Sequence, residues 1–281
     1  MNAKLAKWLS QGFFYLMLTL LAVPFLTPFW WMLTSSYKKA AEIFEFPPPL
    51  LPVTWNFENF VTVFTYQPYA RHYLNSLYIA FLVTLGVMLV ASLAGYSFAR
   101  IRFKGSSIIF LLLLSALMMP SEVTIVPNFV FMKNIGQTDS HLPLVLLPIF
   151  GSNGVVSMFM MRQFFLALPV ELEEAARLDG LDRLGIFWQV ALPLARPALA
   201  AVAILTFLYS WNAFLEPFIF LSDLNLFTLP LSLRNYKDAY SAPLWNIQLA
   251  ATSLSIIPVL IFYVLAQRQV IESFTHTGVK G

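Results

Sequence analysis

The sequence predicts an all-α integral membrane protein with six transmembrane helices. Two observations carry this expectation. The 281 residues are 59% hydrophobic and only 11% charged, with a mean hydropathy of +0.72, whereas an ordinary soluble domain carries about a quarter charged residues. Apolar runs near twenty residues, the length that crosses a bilayer, also recur along the chain between short charged or proline-rich stretches. Cysteine is absent, which removes disulfides and thiolate metal sites. The net charge is only +3, with basic residues scattered at the edges of apolar runs. That pattern excludes a nucleic-acid footprint.

Lys4 and Lys7 precede the first run, residues 12–33. A cleavable leader would have an apolar region of about 7–15 residues and then a small-residue cleavage site. This run is longer and ends in Phe29-Trp30-Trp31 without an Ala-x-Ala pattern. It therefore reads as an uncleaved first span with an aromatic belt, kinked by Pro24 and Pro28. Pro47, Pro48, Pro49 and Pro52 forbid a continuous helix across residues 35–73. A loop outside the membrane is expected there, with a short helix near residues 56–64.

Asn75-Ser76 opens a second span that reaches Phe98. Ala91, Ser92, Ala94, Gly95 and Ser97 make one half of it small-sided, which lets transmembrane helices approach closely. Arg100, Arg102 and Lys104 then form a basic turn. The third span covers residues 106–120. Residues 121–142 hold the breakers Pro127 and Gly136 and read as a bent, partly helical excursion. The fourth span covers residues 143–165, with interruptions at Pro148 and Gly151. The fifth covers 198–221. Residues 222–244 lie outside, and the sixth span covers 245–265 with Pro258 inside it.

Residues 168–197 are dense in charges of both signs. Pro169 suits a first helical turn, and Glu171, Glu173 and Glu174 follow where the helix dipole favours anions. Leu172, Ala175 and Ala176 fall on one face at helical spacing. Gly180 supplies the left-handed residue that ends such a helix. A second short helix runs toward Leu192, and Pro193 is expected to stop it. The stretch thus reads as helix, glycine joint and helix outside the bilayer.

Glu174-Ala175-Ala176, Asp179-Gly180, Ile186-Phe187 and Leu192-Pro193 resemble the EAA loop of type I ABC importer permeases. Glu42-Ile43-Phe44 with Pro47-Pro48, and the tail Val279-Lys280-Gly281, are similar to the sugar-importer branch of that family. The resemblance implies that Glu174, Ala175, Ala176, Asp179, Gly180, Leu192 and Pro193 couple the chain to an ATPase. It also implies partners: a homologous second permease, two ATPase subunits and an extracytoplasmic solute-binding protein, all around a chain embedded in lipid. ATP and Mg would reside on the ATPase, with no cofactor on this chain and no enzymatic activity of its own. The solute would be a di- or oligosaccharide or a polyol, with a glycerol phosphate as the alternative. The implied division is residues 1–70 as first helix and outer loop, 71–267 as transport core containing the coupling loop 168–197, and 268–281 as a cytoplasmic tail.

The chain contains no G-x-x-x-x-G-K-[ST], H-E-x-x-H or G-x-S-x-G motif, so phosphate cradling, zinc hydrolysis and a nucleophile elbow have no sequence basis. His72, His141 and His276 lie far apart in sequence. An ion-coupled secondary carrier would need intramembrane charge. Trp211, Asn212 and Glu216, on the expected fifth span, are the one polar cluster of that kind. Asn212 and Glu216 are four apart and would share a face of a continuous helix. The sugar-importer branch has an acid after Trp-Asn and a second Trp before Pro; here Ala213 and Glu216 stand in those places. Glu216 either lines a translocation path or snorkels toward outside water.

Basic residues favour one set of loops, which places both ends and residues 168–197 on the cytoplasmic side of a bacterial or archaeal plasma membrane. In this cysteine-free chain, single cysteines introduced near Pro48 and Asp238 should react with an impermeant maleimide applied to intact cells, while one at Asp182 should not. Strong labelling at Asp182 would reverse the orientation.

Overall fold

The computed structural model describes residues 3–277, so the Val279-Lys280-Gly281 tail lies outside the described residues. Among those residues the regular structure is helical, with one isolated bridge between Lys237 and Pro243. Four stretches are long and apolar enough to cross a membrane: residues Ser10–Ser35, Tyr69–Arg100, Leu142–Ala167 and Trp245–Leu265. Two bent helix pairs bring the number to six when each pair counts as one span. Lipid offers backbone groups no hydrogen bonds, and a helix satisfies them all within one segment.

Helix α1 (Ala3–Ser35) runs without a break through Pro24 and Pro28. Transmembrane helices tolerate such prolines. Its apolar side chains, including Phe13, Leu21, Phe25 and Leu26, are exposed. Helix α2 (Glu58–Tyr66) is the expected short helix, shifted two residues along. With residues 233–256 these segments form one of two compact units. Three parts of this unit meet at Asn59. Its amide donates to the carbonyls of Ser36 and Lys38, each at 2.9 Å, and its Oδ1 accepts from Asn246 Nδ2 at 2.7 Å. The buried Tyr236 hydroxyl donates to the Val63 carbonyl at 3.0 Å, and burial pushes its pKa up to about 12.

The second unit comprises residues 69–232 and 257–281. Its axis is α3 (Tyr69–Arg100), which starts six residues before the expected Asn75. Helices α4 (Ser106–Ser115) and α5 (Ser121–Asn134) follow. The α4 segment, extended by a 3-10 turn through Met118, bends by 107° into α5. Pro127 lies inside α5 and does not break it. Helices α6 (Leu142–Phe150) and α7 (Ser152–Ala167) make the next span. Their break falls at Gly151, whereas Pro148 stays inside α6. Proline forfeits one ladder bond, whereas at Gly151 the chain passes so close to the preceding turn that a Cβ would stand 2.5 Å from the Leu147 carbonyl oxygen.

The small-residue half of α3 is where α7 packs. A Cβ on Gly95 would stand 2.8 Å from Met161 Cβ, 2.9 Å from the Arg162 nitrogen and 3.0 Å from the Met158 carbonyl oxygen. Ala91 and Ser92 are buried beside it. Further along, helix α8 (Glu171–Leu178) and helix α9 (Arg183–Leu194) lead by a 76° bend into α10 (Arg196–Trp211). Helix α11 (Leu215–Phe220), helix α12 (Leu229–Leu233) and helix α13 (Trp245–Thr277) complete the chain. Phe207 of α10 stacks on Phe262 of α13 at 4.3 Å and 11°.

Overpacking of this kind costs about 1–3 kcal/mol or more. Gly95→Val should therefore lower the unfolding temperature of the detergent-solubilised protein by several degrees in a fluorescence-detected size-exclusion assay. Gly12→Val, whose Cβ would meet nothing within 4 Å, should leave it unchanged.

Candidate functional site

The charged loop begins where Pro169 holds Leu168 extended, at φ −69° and ψ 141°. Pro169 precedes the capping residue Val170 and so sits ahead of the first turn it was expected to occupy. The Val170 carbonyl accepts from the Glu173 and Glu174 amides at 3.0 and 3.1 Å. At the other end Gly180 adopts φ +88°. Its amide donates to the Arg177 carbonyl and the Leu181 amide to the Ala176 carbonyl, both at 3.1 Å. That pair of bonds is a Schellman motif, and it depends on a left-handed residue. Asp182 then caps α9 by accepting from the Gly185 amide at 2.7 Å.

The buried face of α8 is Glu173 and Ala176, not the expected set of Leu172, Ala175 and Ala176. Leu172, Glu174, Ala175 and Asp179 are exposed, and Leu178 is 90% exposed. Pro193 does not stop the second helix, which continues through it to Leu194, with Leu192 half-buried. A π turn over Phe187–Ala191 precedes it. That turn has already left the regular ladder that a proline would interrupt.

Glu173 is held by α3. Arg100 Nε lies 3.0 Å from Glu173 Oε1, and the two side chains are 10% and 12% exposed. Arg100 Nη2 also donates to the Leu168 carbonyl at 2.6 Å. One turn back on α3, the Tyr96 side chain lies close enough to Glu173 to feel its charge. The Tyr96 ring packs at 5.3 Å on Phe187 of α9, which is fully buried and also meets Phe165. Sequence reasoning placed Glu173 only in a first-turn anion set and Arg100 only in a basic turn. Their pairing has no local signature.

Trp211, Asn212 and Glu216 do not form one face. Helix α10 ends at Trp211, Asn212 caps it, and the chain becomes helical again at Leu215. Pro217 is the physical reason, because its ring clashes with the carbonyl four residues back and cannot donate to it. Asn212 is exposed and its side chain donates to the Leu208 carbonyl at 2.8 Å. Trp211 is buried, stacked on Phe207 and edge-on to Tyr73.

Glu216 instead lines a cavity of about 80 Å³ whose other polar residues include Tyr209, Ser210, Asn128, Ser152 and Thr228. The Thr228 hydroxyl is buried with no hydrogen-bond partner among the described residues. The cavity adjoins two helix breaks, at Gly151 and after Asn212. Irregular backbone at membrane depth is tolerated where it lines a cavity. At roughly 10–15 Å³ for each water, the space takes several waters or a few hydroxyl groups. Asn128 and Ser152 escaped sequence reasoning because neither stands out from its apolar surroundings.

At the other end of α3, a cluster of hydrogen bonds holds residues 224–229. His72 donates to the Leu224 carbonyl at 2.7 Å, and Asn75 donates to the Asn225 and Phe227 carbonyls at 2.9 and 3.0 Å. Ser76 accepts from the Leu229 amide at 2.7 Å. His141 donates to the Leu226 carbonyl and accepts from Tyr78. Asp139 accepts from the Ser222 and Asp223 amides at 2.8 and 3.0 Å, and those bonds hold its carboxyl below the usual range. No group of three or more metal-ligating residues occurs among the described residues.

Broken apolar helices around a partly polar cavity, with a braced charged loop beyond them, are the features of a membrane permease. The chain belongs to the family described as binding-protein-dependent transport system inner membrane component, whose model matches residues 88–271. It is a permease subunit of an ABC importer. It is 33% identical to the inner membrane ABC transporter permease protein YcjP of Escherichia coli (strain K12), over 98% of both chains. It is 35% identical to the arabinooligosaccharides transport system permease protein AraQ of Halalkalibacterium halodurans, over 89% of both. Its fold matches a chain of a bacterial ABC transporter involved in import of the acidic polysaccharide alginate. There the TM-score is 0.79 and the identity 21%, over 94% of this chain and 97% of that one.

The separate roles of Asn212 and Glu216 are testable. Loss of a single side-chain-to-backbone bond costs about 1 kcal/mol. Asn212→Ala should lower thermal stability slightly and leave uptake by the assembled transporter near normal. Glu216→Gln should assemble normally and change uptake several-fold.

Proposed function

We propose that this permease imports a neutral di- or oligosaccharide or a polyol, and that residues 168–197 couple it to a cytoplasmic ATPase. The supporting observation is the exposed edge of α8. Glu174, Ala175, Leu178 and Asp179 stand clear of the protein, while Glu173 and Ala176 anchor the helix from behind. An exposed leucine framed by carboxylates suits a cleft with an apolar floor and basic rim. Ala175 lets another backbone come close. Gly180, with Leu192-Pro193 further along, sets the direction in which the chain returns to the membrane.

Under this proposal both termini are cytoplasmic, residues 71–267 form the transport core, and residues 1–70 add a helix and outer loop. A second, homologous permease completes the translocation path. Two ATPase subunits hold ATP and Mg, and a solute-binding protein delivers cargo to the outer face. The exposed apolar surface of α1 suits lipid or the second permease. The cavity lining and AraQ, whose name specifies arabino-oligosaccharides, support this solute class, while relatives named for sn-glycerol 3-phosphate carry the alternative. Glu216 can only accept hydrogen bonds when ionised, whereas Ser210, Tyr209 and Asn128 both donate and accept. Such a lining suits hydroxyl groups and repels a phosphate, which disfavours the glycerol-phosphate alternative.

Co-purification should recover an ATPase, a second permease and a binding protein. Arabino-oligosaccharides should raise the thermal stability of that binding protein more than sn-glycerol 3-phosphate does. Glu174→Lys reverses charge at a close contact, and Gly180→Val puts a β-branched residue at positive φ. Each should reach the membrane and cut ATP-driven uptake by about tenfold, equivalent to 1.4 kcal/mol. Normal uptake in both would remove the coupling assignment.

A further inference from the structure

Helix α3 is gripped at both of its ends by segments distant in sequence. Near residue 100 the grip is on the loop that carries α8. Arg100 pairs with Glu173 and binds the Leu168 carbonyl, and the Tyr96 ring abuts Phe187. Near residue 72 the grip is on residues 224–229, through His72, Asn75 and Ser76. The helix that carries both grips has no break over its 32 residues. At 1.5 Å per residue it is roughly 48 Å long, which exceeds the apolar thickness of a bilayer at both faces. The neighbouring spans are interrupted: α4–α5 at Pro120, α6–α7 at Gly151 and α10–α11 after Asn212.

We propose that α3 is the rod that carries movement of the ATPase-facing loop across the membrane, with Arg100 and Glu173 as the positioning pair that fastens loop to rod. The proposal rests on the coupling role of residues 168–197. A charge pair that is nearly nine-tenths covered does not swing freely, and removing one partner leaves the other without compensation. The polar grip resists pulling of α8 away from α3, and the Phe187 contact resists sliding. Displacement of α8 therefore moves α3, and with it the 224–229 segment hydrogen-bonded to the far end.

The test needs no knowledge of the solute. Leu224 is 42% exposed and only its carbonyl takes part in the grip. Leu224→Cys in the otherwise cysteine-free chain gives a reporter for fluorescein maleimide. The complete transporter, with its co-purified partners, is labelled nucleotide-free and then with ATP and vanadate. The labelling rate should differ several-fold between the two states. Glu173→Gln and Arg100→Gln should each reduce that difference to less than about twofold while the complex still hydrolyses ATP, since severing one end of a buried pair weakens it by a tenfold or greater factor.

The exchanged pair Arg100→Glu with Glu173→Arg should restore the response, which a simple loss of stability would not. Should a single variant fail to assemble, the exchanged pair decides: a restored response supports the rod, and an absent one overturns it. A full response in the glutamine variants, with Glu174→Lys abolishing it, would show that the loop couples by another route. A full response in Glu174→Lys as well would remove the coupling role itself. A parent transporter whose labelling does not depend on nucleotide would overturn the rod.

Discussion

The approach of α3 to α7 at Gly95 is the contact on which the second unit depends. Helices in lipid gain nothing from hiding apolar surface from water, so they associate through close packing and a few hydrogen bonds. At Gly95 the missing side chain lets the two backbones come within van der Waals reach. One turn along, Arg162 of α7 donates to the Phe98 carbonyl at 3.3 Å, and its guanidinium lies 4.2 Å over the Phe110 ring. These contacts fix the rotation of α3 about its own axis. That rotation aims Tyr96 and Arg100 at the charged loop.

The features legible in the sequence are those with local signatures. A stripe of small residues marked the α3–α7 contact, because the need for space sits on the residue that supplies it. Gly180 marked the loop joint for the same reason: the backbone angle and the residue that permits it coincide. The apolar runs marked most of the spans. By contrast, Pro127, Pro148 and Pro193 suggested stops that the chain does not make. Each of these prolines costs its helix one bond that the neighbouring turns survive, unlike Pro217, whose helix restarts only two residues before it. The break in the expected fifth span lies several residues before Pro217, and hydropathy does not register it because broken and continuous helices are equally apolar.

The candidate cavity illustrates a second limit. Glu216 was visible as an acid in an apolar run, but its companions were assigned by helical spacing to Trp211 and Asn212. Once the helix breaks, that spacing has no meaning. Asn212 turns back to bond its own helix, and Glu216 shares a cavity lining with Tyr209 and Ser210 instead. The Arg100–Glu173 pair was illegible for a different reason. Both residues had satisfactory local explanations, a basic turn and a helix dipole, and only the folded chain brings them together.

The first compact unit has its own consequence for how the chain is made. It is assembled from residues through Pro68 and from residues 233–256, so the ribosome builds its two halves at widely separated times. Asn59 meets Asn246, and Val63 meets Tyr236, only after the whole intervening bundle has been synthesised. At about 5–20 residues per second, the early half stands unpartnered for on the order of ten seconds or more. During that interval the Asn59 amide has the Ser36 and Lys38 carbonyls for company but lacks its third partner. Translation pausing or truncation before residue 236 would therefore leave the residues through Pro68 without the segment that completes their unit.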